Sequence, residues 1–240
     1  MRNPLTALCD TLGAAPESPW RRRLRRLVRP AWLVPFRITP LSSYWGLDRG
    51  TPVDRHYVER FLAQHQRDIQ GRVVEVGDSR YTDRFGAAAQ QREILDINPD
   101  NSLATIVADL TAADRVPADS FDCFILTQTL QFIFDVDSAL RHVYRTLRPG
   151  GVVLATVPSV SRIAPVYGLD RDYWRFTTAS CRALFGAVFG ADGVTVRSYG
   201  NARAATAFLY GLATEELSRA ELEAEDEYFP LIVTVRAVKR

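Results

Sequence analysis

The 240-residue chain has the length of one α/β domain with additions, and its 47% apolar and 24% charged residues are ordinary for a globular protein with a core. A net charge of +2 gives no sign of nucleic acid binding, and no apolar run approaches the roughly 20 residues that cross a bilayer. The three cysteines, Cys9, Cys123 and Cys181, lack metal-ligand spacing, so we expect no metal site and a reducing, cytoplasmic environment.

Residues 1–50 differ in composition from the rest and are interpreted as a basic N-terminal extension that ends in a cover loop. The run 20–30 is rich in arginine and has apolar residues at helical spacing, which predicts a short helical extension. We interpret it as a solvated helix, with weak contact to a membrane surface or contact with an anionic substrate as the alternatives. Residues 41–54 are rich in aromatic residues and glycine and predict a loop that covers a site.

Residues 51–240 form the second predicted unit, in which helix-like and strand-like segments alternate. Strands rich in Val, Ile and Leu between helices indicate an α/β fold, with a mostly parallel sheet covered by helices on both faces. In such a sheet the ligand binds beyond the carboxyl ends of the strands, where the strand order reverses. The predicted helices are 54–65, 82–89, 137–147, 178–189 and 202–217, and the predicted strands are 72–76, 93–97, 104–108, 121–127, 151–157, 194–199 and 231–238.

Three carboxylates stand at the ends of successive predicted strands: Glu75, Asp96 and Asp109. Asp96 follows the first turn by about 20 residues, a distance suited to binding the two hydroxyls of a ribose. The turn itself has a single glycine, Gly77, and the adjacent Asp78 would repel a diphosphate. These features favour a nucleotide-like ligand with a cationic centre and no phosphate. S-adenosylmethionine is such a ligand, and NAD is not.

Four segments of the sequence are distinctive when taken together. They are Glu75-Val-Gly77, Asp96, Asp109-Leu110 and residues 120–151, which include a Pro-Gly-Gly turn. With them the chain resembles a class I S-adenosylmethionine-dependent methyltransferase, of the bacterial methyltransferase type 11-like group that tailors small molecules and glycans. The likeness runs from about residue 50 to the C-terminus. It implies a Rossmann-like fold with a seven-stranded sheet, and S-adenosylmethionine as the cofactor.

The resemblance also implies a role for each segment. The turn after the first strand would lie against the methionine part, the ends of the second and third strands would bind ribose and adenine, and the end of the fourth would line the methionine. On the cover side, the residues themselves predict that Arg55 or Arg49 pairs with the methionine carboxylate and that Tyr57 contacts the donor, with helix capping and surface salt bridges as the equal alternative. The residues predicted to bind the cofactor are therefore Arg55, Tyr57, Glu75, Gly77, Asp78, Ser79, Asp96, Ile97, Asp109, Leu110, Thr127 and Gln128.

The loop after the fifth strand, residues 159–177, combines acids, arginines and aromatic residues and is predicted to bind the acceptor. Aromatic faces beside acids suit a sugar or glycan intermediate, and they also suit a flat phenol, so the composition leaves both open. The catalytic candidates are Asp172 and Tyr173 in this loop, His56 with the best path to the site, and Gln131 where the resembled family often has histidine. The predicted substrate contacts are Tyr44, Arg49, Trp174, Arg175 and Asn201.

Together these patterns predict a methyltransferase, monomeric or homodimeric, that uses S-adenosylmethionine to modify a small molecule, a sugar or a glycan intermediate. Two alternatives are kept. Ser79 and Tyr81 replace glycines of the resembled pattern, so the chain could be a non-catalytic binding or regulatory protein with this fold. An NAD-dependent oxidoreductase is disfavoured by the single glycine and by Asp78.

Overall fold

The computed structural model describes residues 38–240, so the predicted N-terminal helix and its proposed membrane contact lie outside the described residues. None of the helices within 38–240 has the length and apolar character needed to cross a membrane. The helices are α1 (Val53–Gln64), α2 (Arg80–Phe85), α3 (Val136–Thr146), α4 (Thr178–Phe189), α5 (Ala202–Leu209) and α6 (Arg219–Glu223). The strands are β1 (Gln70–Val76), β2 (Ala88–Asp96), β3 (Ile106–Val107), β4 (Phe121–Thr127), β5 (Leu147–Pro158), β6 (Val194–Tyr199) and β7 (Ile232–Val238).

The seven strands form one sheet in the order β3-β2-β1-β4-β5-β7-β6. Strands β1 to β5 run parallel to one another, and β7 runs antiparallel to both β5 and β6. The predicted seven-stranded, mostly parallel sheet is therefore confirmed. The strand order reverses between β1 and β4, which places the switch point at the carboxyl ends of these two strands.

Both faces of the sheet are covered, because successive strand residues point to opposite sides. On one face, Val74 and Phe124 pack with apolar residues of α3 and α4. On the other face, Val73 and Ile125 pack with α1 and α5. The central strands are buried on both sides, which explains their nearly continuous apolar sequence and confirms the prediction of helices on both faces.

Two helices are shorter than their sequences predict. The predicted helix 82–89 is instead α2, because the chain leaves the helix at Gly86 and enters β2 at Ala88. The predicted helix 202–217 ends at Leu209. There Gly211, with φ +71°, donates to Phe208 O, and Leu212 donates to Ala207 O, which is the hydrogen-bond pattern of a Schellman ending.

Candidate active site

A cleft of about 400 Å³ lies at the switch point of the sheet. Its floor comes from the carboxyl ends of β1, β2 and β4. The start of α1 and the cover-loop residues Trp45, Leu47 and Pro52 line one side, and residues of the loop 158–175 line another. The fold thus brings together the strand ends, the predicted cover loop and the predicted acceptor loop.

Glu75 orders the turn between β1 and α2. Its side chain is 2% exposed and accepts hydrogen bonds from Tyr81 N at 3.0 Å, Thr82 N at 2.7 Å and Thr82 Oγ1 at 2.8 Å. These amides belong to the first turn of α2, where backbone N–H groups lack helical partners. Burial raises the pKa of Glu75 to about 7, although the hydrogen bonds from Thr82 and Tyr81 act in the opposite direction.

The turn itself depends on Gly77, which has a φ of +87° and donates its N–H to Leu95 O at 2.9 Å. A residue with a side chain is strained in this left-handed conformation, so the one glycine retained from the resembled pattern is the one that the backbone requires. Asp78 lines the cleft and pairs with Arg80 at 3.3 Å. Ser79 does not line the cleft, because its hydroxyl donates to Asp83 Oδ2 at 2.8 Å.

Asp96 is held at the end of β2 by a residue that the sequence patterns missed, Asn101. Asn101 is 3% exposed, and its Nδ2 donates to Asp96 Oδ2 at 2.6 Å and to Gly77 O at 2.8 Å. Asp96 Oδ1 accepts from Asn98 N at 2.9 Å. One buried amide therefore joins the acid of β2 to the turn of β1. Five residues beyond a strand end, it has no local pattern that marks it.

Asp109 differs from the other two strand-end acids. Its side chain is exposed and outside the cleft lining, because Oδ1 accepts from both Thr111 N and Thr111 Oγ1 at 2.8 Å. The predicted direct role of Asp109 is therefore corrected to that of capping the following 3₁₀ turn. Its neighbour Leu110 lines the cleft, as does Ile97, which is 64% exposed.

The end of β4 contributes Thr127, Gln128 and Gln131 to the cleft. Gln128 has a φ of +48°, which is uncommon for a residue with a side chain, and its N–H donates to Thr156 O at 2.8 Å. Gln131 Nε2 donates to Gln128 O at 2.9 Å, which supports this bend. Trp45 in the cover loop also has a positive φ, of 55°. Strained residues of this kind concentrate at functional sites.

The start of α1 places Asp54 and Arg55 in the cleft wall. Arg55 is a predicted cofactor contact, whereas Asp54 was missed because an acid in the first turn of a helix is typical of simple capping. Burial raises the pKa of Asp54 above its ordinary value.

Four other predicted site residues, from the cover loop and the start of α1, do not line the cleft. Arg49 pairs with Glu216, with Nε 3.0 Å from Oε2, which leaves Arg55 as the candidate for the methionine carboxylate. Tyr57 is 0% exposed and donates its hydroxyl to Leu222 O at 3.0 Å, so it cannot contact the donor. His56 packs its ring against Tyr57, and both His56 and Tyr44 lie outside the cleft lining.

The acceptor loop is fixed by an internal ion pair. The side chain of Asp172 is 2% exposed, and it pairs with Arg175 at 2.5 Å and accepts from Ala164 N at 2.9 Å. Both members of this pair line the cleft. Because Arg175 and a backbone amide occupy its oxygens, Asp172 holds the loop in shape and is poorly placed to accept a proton.

Two aromatic residues of this loop face outward. Tyr173 is 44% exposed and Trp174 is 38% exposed, and neither lines the cleft. Their backbone N–H groups donate to Gln131 O at 2.9 and 3.3 Å, and Trp174 Nε1 donates to Ile133 O at 3.0 Å. Asn201 is also outside the cleft, because its side chain caps α5 through Ala204 N at 2.9 Å and binds the carbonyl oxygen of Glu221 at 2.8 Å.

The aromatic residues that do line the cleft are not the predicted ones. Phe132 and Tyr167 stack with their ring centroids 4.0 Å apart, and the guanidinium of Arg162 lies 5.1 Å from the centre of the Trp45 ring. These residues come from three separate loops. Within residues 38–240, no group of three or more His, Cys, Asp or Glu is placed to hold a metal ion.

Comparison with known proteins agrees with this geometry. Residues 60–155 match the family model described as a methyltransferase domain. The chain is also similar to the ubiquinone/menaquinone biosynthesis C-methyltransferase UbiE of Methylobacterium nodulans, with 24% identity over 197 residues. That alignment covers 72% of this chain and 69% of the relative.

Solved structures share the fold at low sequence identity. A SAM-dependent methyltransferase from Archaeoglobus fulgidus is 11% identical, with a TM-score of 0.50 over 77% of this chain and 94% of that one. A methyltransferase from Mesorhizobium loti is 18% identical, with a TM-score of 0.50 over 78% and 98%. The [4+2]-cyclase SpnF is 18% identical, with a TM-score of 0.51 over 94% and 97%.

Residues 60–155 match a methyltransferase domain, and the chain shares the fold of S-adenosylmethionine-dependent methyltransferases of known structure. The chain is thus an enzyme, and S-adenosylmethionine is its cofactor.

The residues present fit this cofactor. The cleft volume of about 400 Å³ is in the range of small-molecule sites. Four carboxylates from the strand ends, the turn after β1 and the start of α1 line the cleft, and negative charge there suits a sulfonium cation and opposes a diphosphate. These four residues are Asp54, Glu75, Asp78 and Asp96.

Proposed function

We propose that this methyltransferase modifies a small molecule, with a sugar or a glycan intermediate as the first candidate. The observation that carries the proposal is the shared cleft. Strand-end acids and aromatic side chains line one cavity of about 400 Å³, which the cover loop and the acceptor loop bound. A cavity of this size lies in the range of sites that bind small molecules.

When bound, S-adenosylmethionine supplies a methyl group on a sulfonium sulfur, ready for in-line attack by the acceptor. We assign Asp96 to the ribose hydroxyls, with Asn101 holding its carboxylate in place. The turn at Gly77 and the strand-end residues Thr127 and Gln128 would lie along the methionine part. Ile97 and Leu110 would contact the adenine, because both are apolar and line the cleft.

On the acceptor side, we assign binding to the stacked pair Phe132–Tyr167 and to Trp45 with Arg162. Aromatic faces pack against the apolar faces of sugars, and the guanidinium groups supply hydrogen-bond donors. Asp172 and Arg175 would act indirectly, by keeping the loop closed over the acceptor. In this proposal the enzyme aligns the reactants and excludes water, and these effects account for its rate enhancement.

A flat aromatic acceptor is the second candidate. The close Phe132–Tyr167 stack favours it, as does the similarity to UbiE, whose name describes a C-methyltransferase of quinone biosynthesis. A flat ring would stack beside these two side chains as they stack on each other.

Isotope transfer distinguishes the two candidates. The full chain would be incubated with S-adenosylmethionine labelled in its methyl group and with two acceptor panels, one of sugars and sugar nucleotides and one of phenols and hydroquinones. We expect label in the sugar panel. Label confined to the aromatic panel would replace the first candidate with the second, and label in neither would contradict the small-molecule proposal.

A cofactor titration tests the site assignments independently of the acceptor. Calorimetry with S-adenosylhomocysteine, the product form of the cofactor, should show binding that Asp96→Ala abolishes, and NAD should not bind. Preferential binding of NAD would contradict the placement of the cofactor.

Three further expectations are part of this proposal. The methyltransferase unit would begin near residue 51, after the basic extension and cover loop. The location would be cytoplasmic, which the free thiols of the buried Cys123 and Cys181 support. The chain would act as a monomer or a homodimer, and light scattering of the purified protein measures which.

A further inference from the structure

The acceptor loop carries more positive than negative charge where it lines the cleft. Its charged residues in the cleft lining are one acid, Asp172, and three arginines, Arg162, Arg171 and Arg175. Asp172 is neutralised by Arg175. Among residues 38–240, Arg162 and Arg171 have no carboxylate partner, and the nearby Asp170 is exposed and outside the cleft lining. The loop therefore presents two uncompensated positive charges to the cleft.

Arg162 is held where the acceptor loop meets the cover loop. Its carbonyl oxygen accepts from Arg175 Nη2 at 2.9 Å, and the carbonyl oxygen of Ser161 accepts from Arg175 Nε at 3.3 Å. Its guanidinium lies 5.1 Å from the centre of the Trp45 ring, which is a cation–π contact. The acceptor loop thus fixes the backbone of Arg162, and the cover loop contacts its side chain. Both interactions preorganise the charge at the cleft wall.

The guanidinium of Arg162 is incompletely satisfied. Its Nη1 atom is buried and has no hydrogen-bond partner among residues 38–240. Nearly all buried polar groups in proteins have a partner, so an unpaired N–H group in a residue that lines a cleft indicates a missing acceptor. An anion bound at this guanidinium would supply both the hydrogen-bond acceptor and the negative charge. The planar fork of N–H groups in arginine fits the oxygens of a carboxylate or a phosphate.

The rest of the cleft has the opposite charge. The acids that line it outside the acceptor loop are Asp54, Glu75, Asp78 and Asp96, and the arginines there are Arg55 and Arg80. Because acids outnumber arginines on that side, an anionic group is repelled from the strand ends and attracted to the acceptor loop. This asymmetry would orient an acidic acceptor, with its charged end at the loop and its remaining part toward the methyl donor.

We propose that Arg162, assisted by Arg171, binds an anionic group of the acceptor, a carboxylate or a phosphate, so that the substrate is an acidic small molecule. This inference rests on the proposed function, which places the acceptor beside Arg162 and the stacked pair Phe132–Tyr167. The aromatic pair would contact the ring of the acceptor while Arg162 fixes its charged end. The charge on the acceptor would then select among molecules with similar rings.

The test measures isotope transfer from methyl-labelled S-adenosylmethionine by the full chain, with acceptors matched in all but charge. The sugar panel compares glucose with glucuronate and with a glucose phosphate, and the aromatic panel compares catechol with dihydroxybenzoate. In the panel that is methylated, we expect kcat/KM to be about tenfold higher for an acidic member than for the neutral one. The carboxylate and phosphate members of the sugar panel distinguish the two anions.

Variants of Arg162 assign this preference to one side chain. Arg162→Gln should lower kcat/KM for the acidic acceptor about tenfold, mainly by raising KM, and leave the neutral member and the affinity for S-adenosylhomocysteine unchanged. Arg162→Lys keeps the charge but not the planar fork, so its kcat/KM should lie between those of the wild type and Arg162→Gln. Arg182→Gln, at an exposed residue outside the cleft lining, is the matched control. Circular dichroism of each variant checks that it is folded.

Several outcomes would overturn the inference. Equal kcat/KM for the acidic and neutral members in the wild type would do so without any variant, and the proposed function would stand. An equal loss for both members in Arg162→Gln would assign Arg162 a structural role only, and weaker binding of S-adenosylhomocysteine by this variant would assign it to the cofactor. Transfer to no member of either panel would instead contradict the proposed function and this inference together.

Discussion

The strand-end half of the cleft and its loop half use acids in different ways. At the strand ends, Glu75 and Asp96 are buried and accept hydrogen bonds from neighbouring amides, which fixes the shape of the turns around the cleft. In the loop half, Asp172 is neutralised by Arg175. Carboxylates that line one cleft thus perform distinct tasks, and the hydrogen-bond donors near each carboxylate determine which task it performs.

The largest expected effect is on stability, at Glu75. Glu75→Ala removes the acceptor of three hydrogen bonds and leaves buried donors unpaired, so we expect the free energy of unfolding to fall by about 3 kcal/mol. Chemical denaturation measures this change. Glu59→Ala, which removes an acid with only a surface contact to Arg84, is the control. If the free energy of unfolding changes less in Glu75→Ala than in the control, Glu75 does not order the turn.

Glu75 also predicts a pH dependence. Its pKa is raised from 4.5 to about 7 in the folded chain, so between these values the folded state holds a proton that the unfolded state releases. The free energy of unfolding should therefore fall as the pH rises through this window, and the fall should be absent in Glu75→Gln. His56, whose pKa is lowered, acts in the opposite direction, so the difference between wild type and variant isolates Glu75. Parallel pH profiles for the two proteins would contradict the prediction.

Asp96 and Asp109 provide a sharper test, because both follow strands but only Asp96 lines the cleft. Asp96→Asn should weaken S-adenosylhomocysteine about 30-fold, through the loss of charge-assisted hydrogen bonds to the ribose. Asp109→Asn should stay within about twofold of the wild type, because its exposed carboxylate only caps a turn. Calorimetry measures the affinity of both variants for S-adenosylhomocysteine. An equal loss of affinity in the two variants would contradict the different roles that the structure gives these acids.

In the loop half of the cleft the expected effect is smaller, and it concerns binding of the acceptor. Asp172→Asn should loosen the loop and raise the KM for the acceptor about fivefold, with the affinity for S-adenosylhomocysteine unchanged. Asp170→Asn in the same loop is exposed and should change neither quantity. A fall in kcat with an unchanged KM would instead return Asp172 to a catalytic role.

The smallest effect is expected at Tyr57. Tyr57→Phe removes a buried hydrogen bond to Leu222 O and should lower the free energy of unfolding by about 1 kcal/mol, without changing the affinity for S-adenosylhomocysteine. Tyr228→Phe, at a side chain that is 91% exposed, is the control. Weaker cofactor binding by Tyr57→Phe would instead support the contact between Tyr57 and the methyl donor that the sequence predicts.

The sequence by itself determined the architecture, because local patterns encode it. Apolar strands that alternate with helices specified the parallel sheet, and the acids at strand ends marked the edge where the cleft lies. Glu75, Gly77 and Asp96 were predictable, since their roles follow from positions along neighbouring strands.

Only the tertiary structure decided which side chains reach the cleft. Asn101 joins the nearby Asp96 to the carbonyl oxygen of Gly77, which is 24 residues away in sequence, and the hydroxyl of Thr111 holds the Asp109 carboxylate away from the cleft. The cover-loop and acceptor-loop residues were the least predictable, because loops lack a period that fixes the direction of a side chain. Asp54 and Arg55 are adjacent in the sequence, and only the tertiary structure places both beside the same cleft.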